Sequence, residues 1–390
     1  MFKEEKFMDL GLTEEQKMIK NNVRRFLEKE IHPLVEEYET KSIPIGKDII
    51  KKVLPFGYIG GLLPEEVGGA GLDHVTYFMM IEEMSRVWPS LRAIVSNSNL
   101  ILTDIYESGT EQQKEKYVEP LMEANKIGFF ALTEPNAGSD TSSIEMSAVL
   151  KGDHWVLNGT KMFITSGQIA DMGILFARTD KTKGSKGITA FIINHDETEY
   201  KARAIEKMGM HSNPTAELFF EDSLVPKENV LGEIGEGLKL AGKMLNFARA
   251  LVSFICTGVA QACVDAAIKY AKERVQFGKP IGGFQLIQAH IADMLTMTSA
   301  MRLLGLQAAD LLDKGLPCQR ECSMAKLYAS EKVLQVAEKA MQVHGGYGYS
   351  REFPVERYYR DIRHFTCAEG TSEIQRLMIG RDALGISAIR

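Results

Sequence analysis

The sequence predicts an α+β fold: a helical N-terminal domain (residues 1–127), a central antiparallel β-sandwich or barrel (residues 128–233) and a C-terminal four-helix bundle (residues 234–390). Three observations carry this. Apolar residues in the first third recur at helical steps. Between about Ile127 and Asn229 they alternate or cluster in short runs with no helical stretch between them, which argues for antiparallel strands joined by turns. Beyond Lys239 the helical period returns in long segments with short connections, the pattern of an antiparallel bundle.

Taken in order, Thr13-Glu-Glu-Gln16 is a capping box that opens a helix with Met18, Val23, Phe26 and Leu27 on its apolar face, and Pro33 lies near its end. A Gly/Pro-rich break, Gly57 to Gly71, precedes a second helix from Val75 to Met84, and Pro120 closes the region. The strand candidates are Trp155–Leu157, Met162–Ile164, Ile174–Phe176, Ile188–Ile193 and Glu217–Phe220. Asn158-Gly159, between two of them, reads as a hairpin turn. Then come helices over Lys239–Tyr270, Phe284–Leu312 and Cys322–Val343, the last two separated by Gly315-Leu-Pro317. A sheet domain between two helical parts leaves clefts for a flat ligand.

A chain of 390 residues, 45% hydrophobic, can bury a large core. Its net charge of -6 argues against a nucleic-acid binder. Met1 to Lys20 mixes Lys and Glu without an apolar core run, so no signal peptide is expected, nor any membrane span. The cysteines (Cys256, Cys263, Cys318, Cys322, Cys367) read as reduced thiols of a cytoplasmic protein, and no His lies near Cys318 and Cys322 to suggest a metal site. Rossmann, P-loop, zinc-protease and nucleophile-elbow motifs are all missing.

Two segments stand out. Cys367-Ala-Glu-Gly-Thr-Ser-Glu-Ile-Gln-Arg376 sets Glu369 at a tight Gly-Thr turn ahead of a helix, a seat suited to a carboxylate that removes a weakly acidic C–H proton. Read alone, it is more simply a helix start with Thr371 or Ser372 as N-cap and Glu369 solvated. Leu132-Thr-Glu-Pro-Asn-Ala-Gly-Ser-Asp140 offers small residues and hydroxyls that let backbone N–H groups approach a polar ring or a phosphate, or else forms a plain turn.

Together with Lys161–Thr165, Glu273–Lys279 and Gln342–Gly346, these segments resemble the acyl-CoA dehydrogenase family of flavoproteins, over nearly the whole chain and in the right order. The resemblance implies FAD as cofactor. It implies that Phe130, Leu132, Thr133 and Ser139 line the flavin and its substrate face, and that Phe163 and Thr165 cover the isoalloxazine ring. Arg274, Phe277, Gln285, Gln342 and Gly346 would hold the adenine dinucleotide half across a subunit contact, with Thr371 and Glu373 touching cofactor beside the base. Structural roles remain open for Phe163 as sheet core and Arg274 as a helix C-terminal cation.

By the same resemblance Glu369 is the catalytic base, with its own backbone N–H and a ribityl hydroxyl polarising the thioester carbonyl and the β-hydride leaving for the flavin. Desolvation under a bound acyl chain makes such a carboxylate a better base. Some branches carry the base one residue before the arginine that here is Arg249, and this chain has Ala248 there. Gly370 joins the substrate contacts, as do Asn246 and Arg249, three apart on the long helix, which an interhelical polar contact would also explain. The implied acceptor is electron-transferring flavoprotein, and the implied assembly is a homotetramer, a dimer of dimers.

Arg92, after Trp88-Pro89, matches the arginine with which glutaryl-CoA dehydrogenases grip a distal carboxylate. The alternative is a surface arginine paired with Glu82 or Glu83. Decarboxylating members carry Tyr before the base and Glu seven residues before the arginine; here these are Ala368 and Ser85. The expectation is therefore dehydrogenation of a dicarboxylic acyl-CoA, of glutaryl or benzylsuccinyl type, stopping at the enoyl product. A short-chain or cyclic acyl-CoA dehydrogenase is the alternative, and a non-catalytic flavin-binding subunit is the reading from another class.

Overall fold

The computed structural model describes residues 12–388. Met1 to Gly11, most of the stretch read for a leader, lie outside the described residues. In chain order, α1 (Glu14–Phe26), α2 (His32–Lys41), α3 (Lys47–Val53), α4 (His74–Val87), α5 (Pro89–Ser108) and α6 (Glu111–Met122) precede the strands. The strands are β1 (Gly128–Ala131), β2 (Ser147–Lys151), β3 (His154–Thr165), β4 (Met172–Arg178), β5 (Ile188–Asn194), β6 (Lys201–Ala204), β7 (Thr215–Pro226) and β8 (Val230–Leu231). Then come α7 (Gly237–Glu273), the hairpin β9 (Val275–Gln276) and β10 (Lys279–Pro280), α8 (Gln285–Asp313), α9 (Gln319–His344), α10 (Val355–Ile362) and α11 (Ser372–Leu384). The helix–sheet–helix order is the expected one. The chain forms two compact units, Met1–Val35 with Asp73–Pro89 and Ala248–Arg390, and Glu36–Leu72 with Ser90–Phe247.

In the first unit, α8 and α9 pack along each other, α10 and α11 lie on α9, and α4 contacts α1 and α8. The core joins Tyr77, Phe78 and Ile81 of α4 with Phe254 and Val259 of α7 and Met301 of α8, all buried. Two adjacent glutamates on α4 are also buried. Arg302 of α8 donates to Glu82 at 2.8 Å, and Arg24 of α1 donates to Glu83 at 2.7 and 2.8 Å. Burial alone would raise the Glu82 carboxyl, but Arg302 and Lys20 hold it below the usual carboxylate range. Helix α7 is long and apolar enough to cross a membrane by length and composition, but most of its apolar window is buried inside the protein, as in a core helix.

In the second unit one sheet runs in the order β6-β7-β3-β2-β4-β5-β8, with β1 added against β4. It is antiparallel except where β1 and β2 each pair parallel with β4, a departure from the all-antiparallel expectation. Trp155 and Phe191 meet edge-on at 5.4 Å, and Tyr200 stacks on Phe220 at 5.1 Å inside it.

Two local expectations need correction. Asn158-Gly159 makes no hairpin: β3 runs straight through it, and the register against β7 slips there, a bulge. Gly159 sits at φ +147 with Met146 so close that a Cβ would lie 2.8 Å from it, while the Asn158 amide exchanges hydrogen bonds with Asp222 at 3.0 and 2.9 Å. Pro33 does not lie near the end of its helix. A π-helical turn, Leu27–Ile31, precedes it and the helix continues to Lys41, because a wide turn accommodates the missing donor.

Candidate active site

Glu369 lies at the end of the turn leading into α11. The helix start forms, with Thr371 as the N-cap, its side chain accepting from the Ile374 N–H at 3.3 Å, but Glu369 is half-buried rather than solvated. Its φ of +56 is left-handed, a state that costs a non-glycine residue about 1 kcal/mol or more and is kept only where surroundings impose it. The surroundings are three side chains of the same unit. Arg249 of α7 donates through Nε to the Glu369 carbonyl at 3.2 Å, and Gln375 of α11 donates to the carbonyls of Glu369 and Gly370 at 3.1 and 3.0 Å. Lys326 of α9 donates through Nζ to the Gly370 carbonyl at 2.7 Å. Gly370, at φ +88, has no room for a side chain, since a Cβ would lie 2.8 Å from the Gln375 amide. Burial lowers the Arg249 guanidinium, with Glu369 opposing. Ala248, the other position from which a base could act, is a buried methyl.

In the second unit the Leu132–Asp140 segment is tied to β3 by a buried ion pair. Lys161, fully buried, donates to the Glu134 carboxylate at 2.8 Å and to the Leu132 carbonyl at 3.0 Å, and Glu134 also accepts the N–H groups of Glu145 and Met146 at 2.6 and 3.1 Å. Burial lowers the Lys161 ammonium to about 8 against the pull of Glu134. The Met162 N–H reaches the Thr133 carbonyl at 2.8 Å. A second register slip, between Lys161 and Ile164, throws Phe163 outward at φ +58 and 63% exposed, so it is not sheet core. Bulges and residues held in the left-handed region are over-represented beside active sites. Thr133, Thr165 and Phe130 are half-buried and Ser139 is exposed. Asn246, near the start of α7, is half-buried.

Arg92, on the first turn of α5, is 6% exposed and donates to Ser96 at 3.4 Å, which overturns the surface alternative. Glu82 and Glu83, its alternative partners, are held by Arg302 and Arg24. Three turns along, Asp104 is 3% exposed. Burial, with Glu107 adding to it and Lys243 opposing, raises its carboxyl to about 8. The folded state keeps a proton there that the unfolded chain has released, so Asp104 withdraws stability as pH rises from the ordinary carboxylate range to about 8. Asp104→Asn is expected to raise the Tm at pH 8.5 by about 2 °C or more beyond any gain at pH 5, as read by paired thermal melts. An equal gain at both pH values would refute the assignment.

Back in the first unit, Arg274, Gln342 and Gly346 line a groove of about 550 Å³ with Tyr270 and His344 on its wall, stacked at 4.4 Å. Gly345 and Gly346 present bare, exposed backbone. The β9–β10 hairpin holds Phe277 at φ +50 and 94% exposed at its tip, and Gln285 is exposed at the start of α8. Three of the described non-glycine residues with positive φ, namely Phe163, Phe277 and Glu369, are thus residues singled out from sequence. An open groove with a guanidinium, an amide and bare glycine backbone suits a pyrophosphate and adenine, and an outward phenyl ring suits a flat heterocycle, so the residues present fit FAD. Lys326, Gln375, Lys161 and Glu134 were not given roles from sequence. The available signal was a lysine within the apolar stripe Cys322, Ala329, Val333 of α9.

Within the first unit, a glutamate on a backbone-clamped turn and an open groove fit for a dinucleotide are features that a flavin-dependent oxidoreductase would use. Three sequence profiles match end to end: acyl-CoA dehydrogenase N-terminal domain over residues 13–125, middle domain over 129–223 and C-terminal domain over 235–384. The chain belongs to the acyl-CoA dehydrogenase family, and it is an FAD-dependent oxidoreductase of the CH–CH group. It is 43% identical to the caffeyl-CoA reductase–Etf complex subunit CarC of Acetobacterium woodii, covering 94% of this chain and 97% of that one. It is 42% identical to the short-chain specific acyl-CoA dehydrogenase of Clostridium acetobutylicum, over 95% and 98% of the two chains. Among solved structures, a glutaryl-coenzyme A dehydrogenase in complex with glutaryl-CoA superimposes with a TM-score of 0.93 at 39% identity, over 98% of each chain.

Proposed function

We propose that this enzyme interconverts a dicarboxylic acyl-CoA, of glutaryl or benzylsuccinyl type, and its α,β-enoyl thioester without decarboxylation, with Glu369 as the base. The observation that supports the substrate class is the burial of Arg92 at the position matching the arginine that grips a distal carboxylate: a guanidinium held out of water there is placed to form a charge-assisted pair with the far end of an acyl chain. Ala368 and Ser85 stand where decarboxylating enzymes carry Tyr and Glu, which supports a reaction that ends at the enoyl stage.

Glu369 takes the α-proton, from a turn held through the backbone carbonyls of Glu369 and Gly370. Its N–H helps polarise the thioester carbonyl. Asn246, Arg249 and Gly370 contact the CoA thioester; Leu132, Thr133 and Ser139, with Phe130, Phe163 and Thr165, receive the ring system. Arg274, Phe277, Gln285, Gln342 and Gly346 hold the dinucleotide, with Phe277 offered to a second copy in a homotetramer, and Thr371 and Glu373 close the site beside the base. FAD, when bound, supplies the hydride acceptor.

Electron-transferring flavoprotein is the proposed redox partner, in keeping with the CarC relative's naming as part of an Etf complex. The second reading, a short-chain acyl-CoA dehydrogenase, draws on the short-chain relative. Anaerobic titration of the holoenzyme with glutaryl-, benzylsuccinyl- and butyryl-CoA separates the two: a dicarboxylic ester should bleach the flavin fastest with no CO2 released. Preference for butyryl-CoA would reject the dicarboxylate reading.

A further inference from the structure

We propose that Lys326 is a positioning residue for the base: its Nζ, hydrogen-bonded to the Gly370 carbonyl, both locks the left-handed Glu369–Gly370 turn and sets a buried positive charge behind the carboxylate. This rests on the reading of Glu369 as base. Lys326 is fully buried on α9, where an uncompensated ammonium is costly, so its place in an apolar stripe calls for a function. Its Nζ donates to the Gly370 carbonyl oxygen at 2.7 Å. That oxygen belongs to the residue just after the base, and two successive carbonyls, of Glu369 and Gly370, together accept four side-chain hydrogen bonds. Carbonyls so fixed set the plane of each peptide, and with it the direction of the Glu369 side chain.

Of the three donors, Gln375 is neutral and sits on α11 itself. Arg249 and Lys326 reach in from α7 and α9, so the cations anchor the turn to helices outside it. The titratable and charged groups around Lys326 are Cys256 and Arg249 from α7, Cys367 and Glu369 from the turn, and Glu373 from α11. Burial lowers the ammonium to about 8, with Cys256, Glu369 and Cys367 opposing and Arg249 adding to the fall, so at neutral pH it is still cationic. A cation behind a carboxylate favours its ionised, proton-accepting form. Removing the cation shifts activity to higher pH, whereas loss of a mere packing contact does not.

The test compares FAD-loaded Lys326→Met, Lys326→Gln and Lys326→Arg with the wild type, using the fastest ester from the panel above. In Lys326→Met the acid limb of kcat/KM is expected to move up by about one pH unit, with a roughly tenfold or greater loss of kcat. Lys326→Gln, which keeps a donor without the charge, should show the same limb shift with a smaller loss, and Lys326→Arg should restore the wild-type limb. A folded, FAD-loaded Met or Gln variant whose pH profile superimposes on that of the wild type overturns the proposal, whatever its rate. So does failure of both neutral variants to fold while the arginine variant folds, since Lys326 would then serve the fold alone. The base reading is judged separately by Glu369→Gln: if that variant keeps its rate, the base is misassigned, whereas an inactive Glu369→Gln beside an unshifted Lys326→Met removes only the positioning role.

Discussion

Glu369→Gln is expected to lower anaerobic flavin reduction by every CoA ester about 10³-fold or more while the protein stays yellow and folded. The amide is isosteric with the carboxylate, so the turn should survive the change: Arg249, Gln375 and Lys326 hold it through the carbonyls of Glu369 and Gly370, which the substitution leaves in place. Thr371 still caps α11. What disappears is the only feature that can accept the α-proton from this position, since Ala248 offers no alternative from α7. Stopped-flow absorbance of the holoenzyme mixed with substrate reads the effect directly. Retention of even a tenth of the wild-type rate would assign the proton to another group. FAD content and the thermal midpoint, unchanged, would show that the loss is chemical.

Arg92→Ala is expected to invert substrate preference. For the dicarboxylic ester, kcat/KM should fall about 10²-fold, the scale on which a charge-assisted pair to a buried carboxylate contributes. For butyryl-CoA it should hold or rise, because the arginine is 6% exposed and a plain hydrocarbon tail gives it nothing in return for desolvation. Two outcomes count against the reading. If both esters lose activity equally, Arg92 supports the helix and not the ligand. If the variant loses nothing on the dicarboxylic ester, the anion meets some other group. Arg92→Lys should recover only part of the preference, since a point charge on a flexible stem replaces a planar fork.

Much of this molecule was readable in one dimension. The Thr13–Gln16 capping box forms as written, because both of its hydrogen bonds are local. The steps of three and four in the last third give α7, α8 and α9 within a few residues, since a buried helix must keep one face apolar along its length. The turn at Glu369 was legible for a similar reason: glycine then a hydroxyl cap is short-range chemistry.

The misreadings all concern contacts between residues far apart in sequence. Asn158-Gly159 carries the local signature of a hairpin, but Met146 and Asp222 occupy the space around it and turn it into a bulge. Pro33 carries the signature of a stop, yet the apolar positions Leu27, Ile31 and Val35 keep the segment packed and a wide turn takes up the strain. The parallel pairings of β4 with β1 and β2 join strands that no hairpin links, so no turn signal marks them.

By itself the sequence determined the order of helices, strands and helices and the flavoprotein family, and it supplied Glu369 as the proposed base, because each signal is encoded in residues near one another along the chain. Only the tertiary structure decided that Arg92 is buried, that Phe163 faces outward, and that Lys326 reaches the carbonyl of Gly370 from 44 residues away. Burial and long-range hydrogen bonds depend on which elements pack together. That choice is made by the whole core at once, and no short window of sequence contains it.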